Sequence, residues 1–90
     1  MEFEWDDRKN AVNLAKHGLS FFEAQTAFYD EDRVVLLDKS HSAAEKRYFC
    51  IGKTTKGGVA TVRFTIRSGN IRIIGAGYWR KGKKLYEQHN

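Results

Sequence analysis

Lys56 to Arg80 reads KGGVATVRFTIRSGNIRIIGAGYWR, and the alternation inside it decides the fold. Val59, Thr61, Arg63, Thr65 and Arg67 alternate with Ala60, Val62, Phe64 and Ile66, the period of two of a half-buried strand. Ser68-Gly69-Asn70 carries turn chemistry, and Ile71 to Tyr78 resumes an extended pattern. A two-residue loop at Ser68-Gly69 or Gly69-Asn70 puts Arg72 on the face of Arg63 and Arg67. Val62, Phe64, Ile66, Ile71 and Ile73 are then left for the core. Directly opposed like charges on a sheet cost about 0.2–1 kcal/mol per pair, so a face of arginines implies an anion to hold. The plain alternative is a wet sheet face. Against it, no acid occurs between Lys46 and Lys84, and the planar arginine fork suits a bidentate grip on phosphate.

Downstream, Tyr78 and Trp79 run into Arg80-Lys81-Gly82-Lys83-Lys84. Interleaved rings and bases suit stacking on unpaired nucleobases, although a tryptophan more commonly anchors a core. The spacing predicts a terminal helix over residues 79–88, which Gly82 weakens by about 1 kcal/mol. Gly57-Gly58 reads as a turn and not a phosphate loop, because no helix start follows it.

Upstream, Lys46 to Lys53 and Arg33 to Leu37 read as strands, the second an inner one on its apolar content. Between them, Ser42 and Glu45 have the spacing of a capping box for one helical turn, in which Glu45 could orient His41. The polar run from His41 to Arg47 includes an imidazole able to exchange protons at neutral pH. Phe21 to Tyr29 forms a helix behind Ser20, with Glu23 three residues on and Leu19 and Ala24 at the staple positions. The preceding helix starts at Asp6 or Asp7, stops at Gly18, and offers Ala11, Val12, Leu14 and Ala15 as its apolar stripe. Lys16 and His17 at its end either complement the helix dipole or reach a phosphate. Phe3 and Trp5, alternating with acids, form a short edge strand.

The expected class is α+β. Two N-terminal helices pack on a mostly antiparallel four-stranded sheet, with a short N-terminal strand and a C-terminal helix, and residues 1–90 form one domain. Residues 1–32 hold eight acids and three bases, a net −5, whereas residues 33–90 hold thirteen bases and three acids, a net +10. That asymmetry points to a polyanionic partner for the sheet half. No apolar run approaches the ~20 residues of a membrane span, and the start MEFEWDD is unlike a signal peptide. With one cysteine, Cys50, read as a buried small hydrophobe, a reducing, cytoplasmic setting is expected. Three scattered histidines (His89 read as solvated) and that cysteine have no metal-ligand spacing, so no metal or other cofactor is expected.

The succession of motifs resembles the BrnT family of bacterial toxins. It comprises Phe3-Glu4-Trp5-Asp6, Lys16-His17-Gly18, Ser20-Phe21-Phe22-Glu23-Ala24, Asp38 before His41-Ser42, Glu45-Lys46-Arg47, Ile51-Gly52-Lys53 and Ile71-Arg72-Ile73-Ile74. The resemblance covers nearly the whole chain. It implies a RelE-like fold and a type II toxin that cuts RNA and halts translation. It also implies a small ribbon-helix-helix antitoxin (BrnA-like) that covers the toxin, with operator DNA bound only through the complex. Lys16, His17, His41, Glu45, Arg47, Arg67 and Arg72 would surround the RNA. The chain departs from the family pattern at Ile74-Gly75-Ala76-Gly77, where Gly77 stands in place of an arginine and Arg80 or Lys81 is the nearest substitute.

Metal-independent cleavage is the reading these residues favour. Arg67 and Arg72 would stabilise the phosphoryl oxygens. His41 or His17 would exchange protons, and Glu45 would orient or act as base. Lys16, Arg47, Arg63, Tyr78, Arg80 and Lys81 would bind the strand. The alternative is a non-catalytic module for nucleic acid or a protein partner, including a toxin homologue of reduced activity.

Overall fold

The computed structural model describes residues 2–90. The chain runs β1 (Phe3–Glu4), α1 (Asp7–His17), α2 (Phe21–Ala24, continued as a 3-10 turn over Gln25–Tyr29) and β2 (Val34–Leu37). A short 3-10 turn (Lys39–His41) leads to β3 (Arg47–Lys53), β4 (Val59–Arg67), β5 (Asn70–Gly77) and α3 (Arg80–His89). Among the described residues these strands form one sheet in the order β1-β5-β4-β3-β2. The sheet is therefore five-stranded and mixed, not four-stranded. β1 joins it parallel to β5, Phe3 opposite Ile71 and Glu4 opposite Arg72, while the other pairs are antiparallel.

The hairpin forms as its alternation requires. Arg67 pairs with Asn70, so Ser68-Gly69 is the loop, and both of its residues take positive φ, 49° and 79°, the geometry that matches strand twist. Thr65 opposes Arg72, which sets Arg63, Arg67 and Arg72 on one face. A register shift beyond Ile73 leaves Ile74 as a bulge, and pairing resumes with Arg63 opposite Gly75.

The opposite face carries the main core. Val62, Phe64, Ile73, Ala76 and Cys50 pack against Leu19, Phe21, Ala24 and Ala27. Burial pushes the Cys50 thiol up to about 12. On the arginine side α3 covers only part of the sheet, where Tyr86 and Leu85 meet Val34, Ile51, Leu36 and Phe49. Tyr86 Oη donates to Asp30 Oδ2 at 2.6 Å, and the same carboxylate oxygen accepts from the Lys53 amide at 2.7 Å. Gly82 lets α3 lie this close, because a Cβ there would collide with the Thr61 side chain.

Several local expectations are corrected. α1 begins at the Asp6 cap and ends at left-handed Gly18 as its residues dictate, but its apolar stripe is not what holds it. Val12 and Leu14 are 53% and 50% exposed. Asn13 is buried instead, its amide donating to Leu19 O (2.8 Å) and Ala76 O (2.9 Å) and accepting from the Ala76 N–H (3.2 Å). That side chain completes the edge of β5 beyond the end of β1. Ser20 accepts from the Glu23 amide, yet the Glu23 carboxylate does not return the bond: it holds Thr55 Oγ1 at 2.8 Å and the Lys56 amide at 3.1 Å. β2 is an edge strand, not an inner one, and leaves Val35 and Leu37 exposed.

Candidate nucleic-acid interface

The open part of the arginine face is framed by β1, β5, β4, β3 and the β2–β3 connection. Arg47, Arg63, Arg67 and Arg72 converge there, as expected, but not as bare cations. Arg72 Nη1 donates to Glu4 Oε2 at 2.9 Å, because the parallel pairing of β1 brings Glu4 beside Arg72. Arg67 donates from Nε and Nη2 to the two Glu45 oxygens at 3.3 and 3.0 Å, and Arg47 lies 3.9 Å from Glu45. Those Arg67 hydrogen bonds hold the Glu45 carboxyl below its usual range and raise the guanidinium in return. The acid-free stretch of sequence is thus answered by carboxylates from elsewhere in the chain. Arg67 stays 50% exposed, and so exposed a pair is only weakly held against a competing anion.

Asp38, which the sequence offers only as part of the family motif and not as a site residue, joins the candidate site. It follows β2, only 4% exposed, and its Oδ2 lies 3.0 Å from His41 Nδ1 and 3.6 Å from Arg63 Nε. A carboxylate only accepts, so Nδ1 carries the proton and the neutral ring keeps its lone pair at Nε2. Burial works against ionisation of Asp38, but the hydrogen bonds from Ser40 and His41 and the nearby charges outweigh it and hold the carboxyl below its usual range. Glu45 therefore does not orient His41. The capping turn at Ser42 does not form either. Ser42 Oγ instead donates to Asp38 O at 2.6 Å and accepts from the Arg47 amide at 3.0 Å, pinning the loop so that Glu45 swings to Arg67. The three-residue spacing from Asp38 to His41 was the available signal.

The remaining candidates fall in two other places. Lys16 and His17 lie beside the β5 edge with Ile74 in a shallow cavity of about 330 Å³, and the His17 ring meets Trp79 edge-on at 5.3 Å. Neither bonds to the Asp38–His41 group. Tyr78 and Arg80 line a cleft of about 1110 Å³ with Lys53, Lys56 and Lys83. Among the described residues the side chains of those four bases make no ion pair or hydrogen bond, and Glu87 lines the same cleft. Lys81 instead shares an apolar pocket with Arg63. Gly77 has a local reason: the Trp79 ring fills the space its side chain would take. No group of three or more His, Cys, Asp or Glu that could hold a metal occurs among the described residues. No helix among them is long and apolar enough to cross a membrane.

Fold and site together define a small α+β protein with an arginine-rich sheet face beside a carboxylate–histidine pair. A family model described as "Ribonuclease toxin, BrnT, of type II toxin-antitoxin system" matches residues 5–82. The chain belongs to that family. The crystal structure of the Brucella abortus ribonuclease toxin BrnT is similar in fold, with a TM-score of 0.66 at 24% identity over 88% of this chain and 96% of that one. No curated protein matches the sequence.

Proposed function

We propose that this chain cleaves single-stranded RNA without a metal ion, the 2′-hydroxyl attacking the adjacent phosphorus to leave a cyclic phosphate and a free 5′-hydroxyl. The observation that carries the reading is that His41 and Arg63 are anchored on one oxygen of buried Asp38. His41 Nε2 takes the proton of the 2′-hydroxyl, and the imidazolium so formed can return it to the departing 5′ oxygen, a contribution of about 10²–10⁴ in rate. Asp38 fixes the tautomer. Arg67 and Arg72 turn from Glu45 and Glu4 to the phosphoryl oxygens as charge grows there. Glu45, already held ionised by Arg67, serves to position that arginine and is a poor proton acceptor. Lys16 and His17 meet a flanking phosphate at the β5 edge. Arg47 and Lys81 border the face, and Tyr78 and Arg80 carry the strand into the basic cleft.

In this reading the fold is a variant of the RelE type, translation is the process arrested in the cytoplasm, and a ribbon-helix-helix antitoxin covers the arginine face. Operator DNA is met only through that complex. The exposure and charge of the face support the reading. A second reading, strand binding without cleavage, is favoured by the unpaired bases of the cleft and by Gly77. Incubating purified protein with single-stranded RNA and a chelator separates the two. Fragments ending in cyclic phosphate are expected, and salt-sensitive binding without product would favour the second reading.

A further inference from the structure

Between the arginine face and α3 lies a pocket of about 360 Å³, bordered by Phe49 and Ile51 of the sheet, Leu85 and Trp79 on the α3 side, and the cations Arg63 and Lys81. Resting on the nuclease reading above, we propose that this pocket receives one unpaired RNA base next to the phosphate held by the arginines.

Four observations carry it. The volume stands at the small end of ligand pockets, which span about 300–1,000 Å³, room for one flat ring system. Trp79 rests on Gly77 and meets His17 edge-on, yet it is 43% exposed, far more than a core anchor would be, so part of its ring is open to stack. The charged groups at the pocket are both cations, and one of them, Arg63, already belongs to the phosphate-facing set; a base tethered to a phosphate satisfies ring and charge together, whereas an apolar peptide side chain leaves the cations unused. Finally, the Arg63 guanidinium, whose Nε faces Asp38 Oδ2 at 3.6 Å without a hydrogen bond, links this pocket to the Asp38–His41 group. The Arg63 guanidinium sits 5.7 Å above the Phe49 ring, which keeps it over the sheet where pocket and arginine face meet. Single-stranded RNA is the form whose bases can be splayed out in this way.

The test uses the full chain and a 2′-O-methyl oligoribonucleotide, which binds but cannot be cleaved, with one abasic site moved along it. Removing the base at one position should weaken binding about tenfold or more, as expected for a lost aromatic stack. The salt slope should not change, since every phosphate remains. Trp79→Ala should weaken the intact oligomer similarly and erase the difference between intact and abasic strands, while Trp79→Phe keeps most of it. Equal binding of all abasic strands, with unmodified RNA still cleaved, overturns the base pocket and leaves the nuclease reading standing. Failure to bind or cleave any RNA overturns both. A Trp79 response to a protein partner but to no oligonucleotide, read in a Trp5→Phe background, assigns the pocket to that partner and overturns the proposal.

Discussion

At Asp38 one carboxylate oxygen faces the His41 imidazole at 3.0 Å and the Arg63 guanidinium at 3.6 Å. The arginines and His41 were legible in the sequence because strand alternation and a polar turn are local patterns. Asp38 and Glu4 were not read as site residues. Glu4 joins the arginine face only through the pairing of β1 with β5, 68 residues away in the chain, and Asp38 meets His41 only when a 3-10 turn folds His41 back on it. Asp38→Asn should lower kcat about 10–10³-fold with little change in KM, since it disturbs the proton-transfer group. Glu45→Gln should act mainly on KM, because it frees Arg67 without touching His41. Steady-state cleavage kinetics of the two variants check this, and equal effects on both constants would merge the roles. Gly82 gives a separate prediction. Alanine there improves helix propensity by about 1 kcal/mol, yet its Cβ must displace buried Thr61. Overpacking of that kind costs about 1–3 kcal/mol, so Gly82→Ala should lower the urea midpoint.

Among the elements, the hairpin, the capped helices and the terminal helix followed from residue type alone. The docking of α1 did not, because its buried contact is polar: Asn13 makes two hydrogen bonds to Ala76 on the β5 edge and a third to Leu19 O, a pairing that hydrophobic periodicity does not register. Likewise β2, though apolar, is at the edge, since order across a sheet is not encoded within a strand. Asn13→Ala should cost about 1–3 kcal/mol by stranding the Ala76 and Leu19 backbone groups. Asn13→Leu should not recover it, although leucine restores an apolar stripe. Denaturant unfolding of both variants tests this, and full stability of the leucine variant would show that α1 docks by apolar contact.

Across the whole molecule, the acidic first third and the basic remainder meet at the sheet, where Glu4 faces Arg72 and the basic strands supply the other arginines. The carboxyls of Asp6, Glu23, Asp30, Asp38 and Glu45 are all held below their usual values. A depressed native pKa stabilises the fold above the unfolded value and loses that contribution as pH falls through the native one. Tyr86, held by Asp30, and buried Cys50 are both pushed up to about 12. Their contributions are complete below their unfolded values, 10 and 9, and vanish as pH rises toward 12. Thermal unfolding should therefore be most stable across the neutral range and fall on either side, below about pH 4.5 and above about pH 9. A monotonic rise in Tm toward acid would contradict this assignment. In the proposed function Asp38, His41 and the neighbouring arginines perform the chemistry and do not merely hold the strand. Single-turnover RNA cleavage by His41→Ala, with RNA affinity measured in parallel, tests it most directly. A rate lower by about 10²–10⁴ at nearly unchanged affinity is expected, and an undiminished rate would rule His41 out of the chemistry.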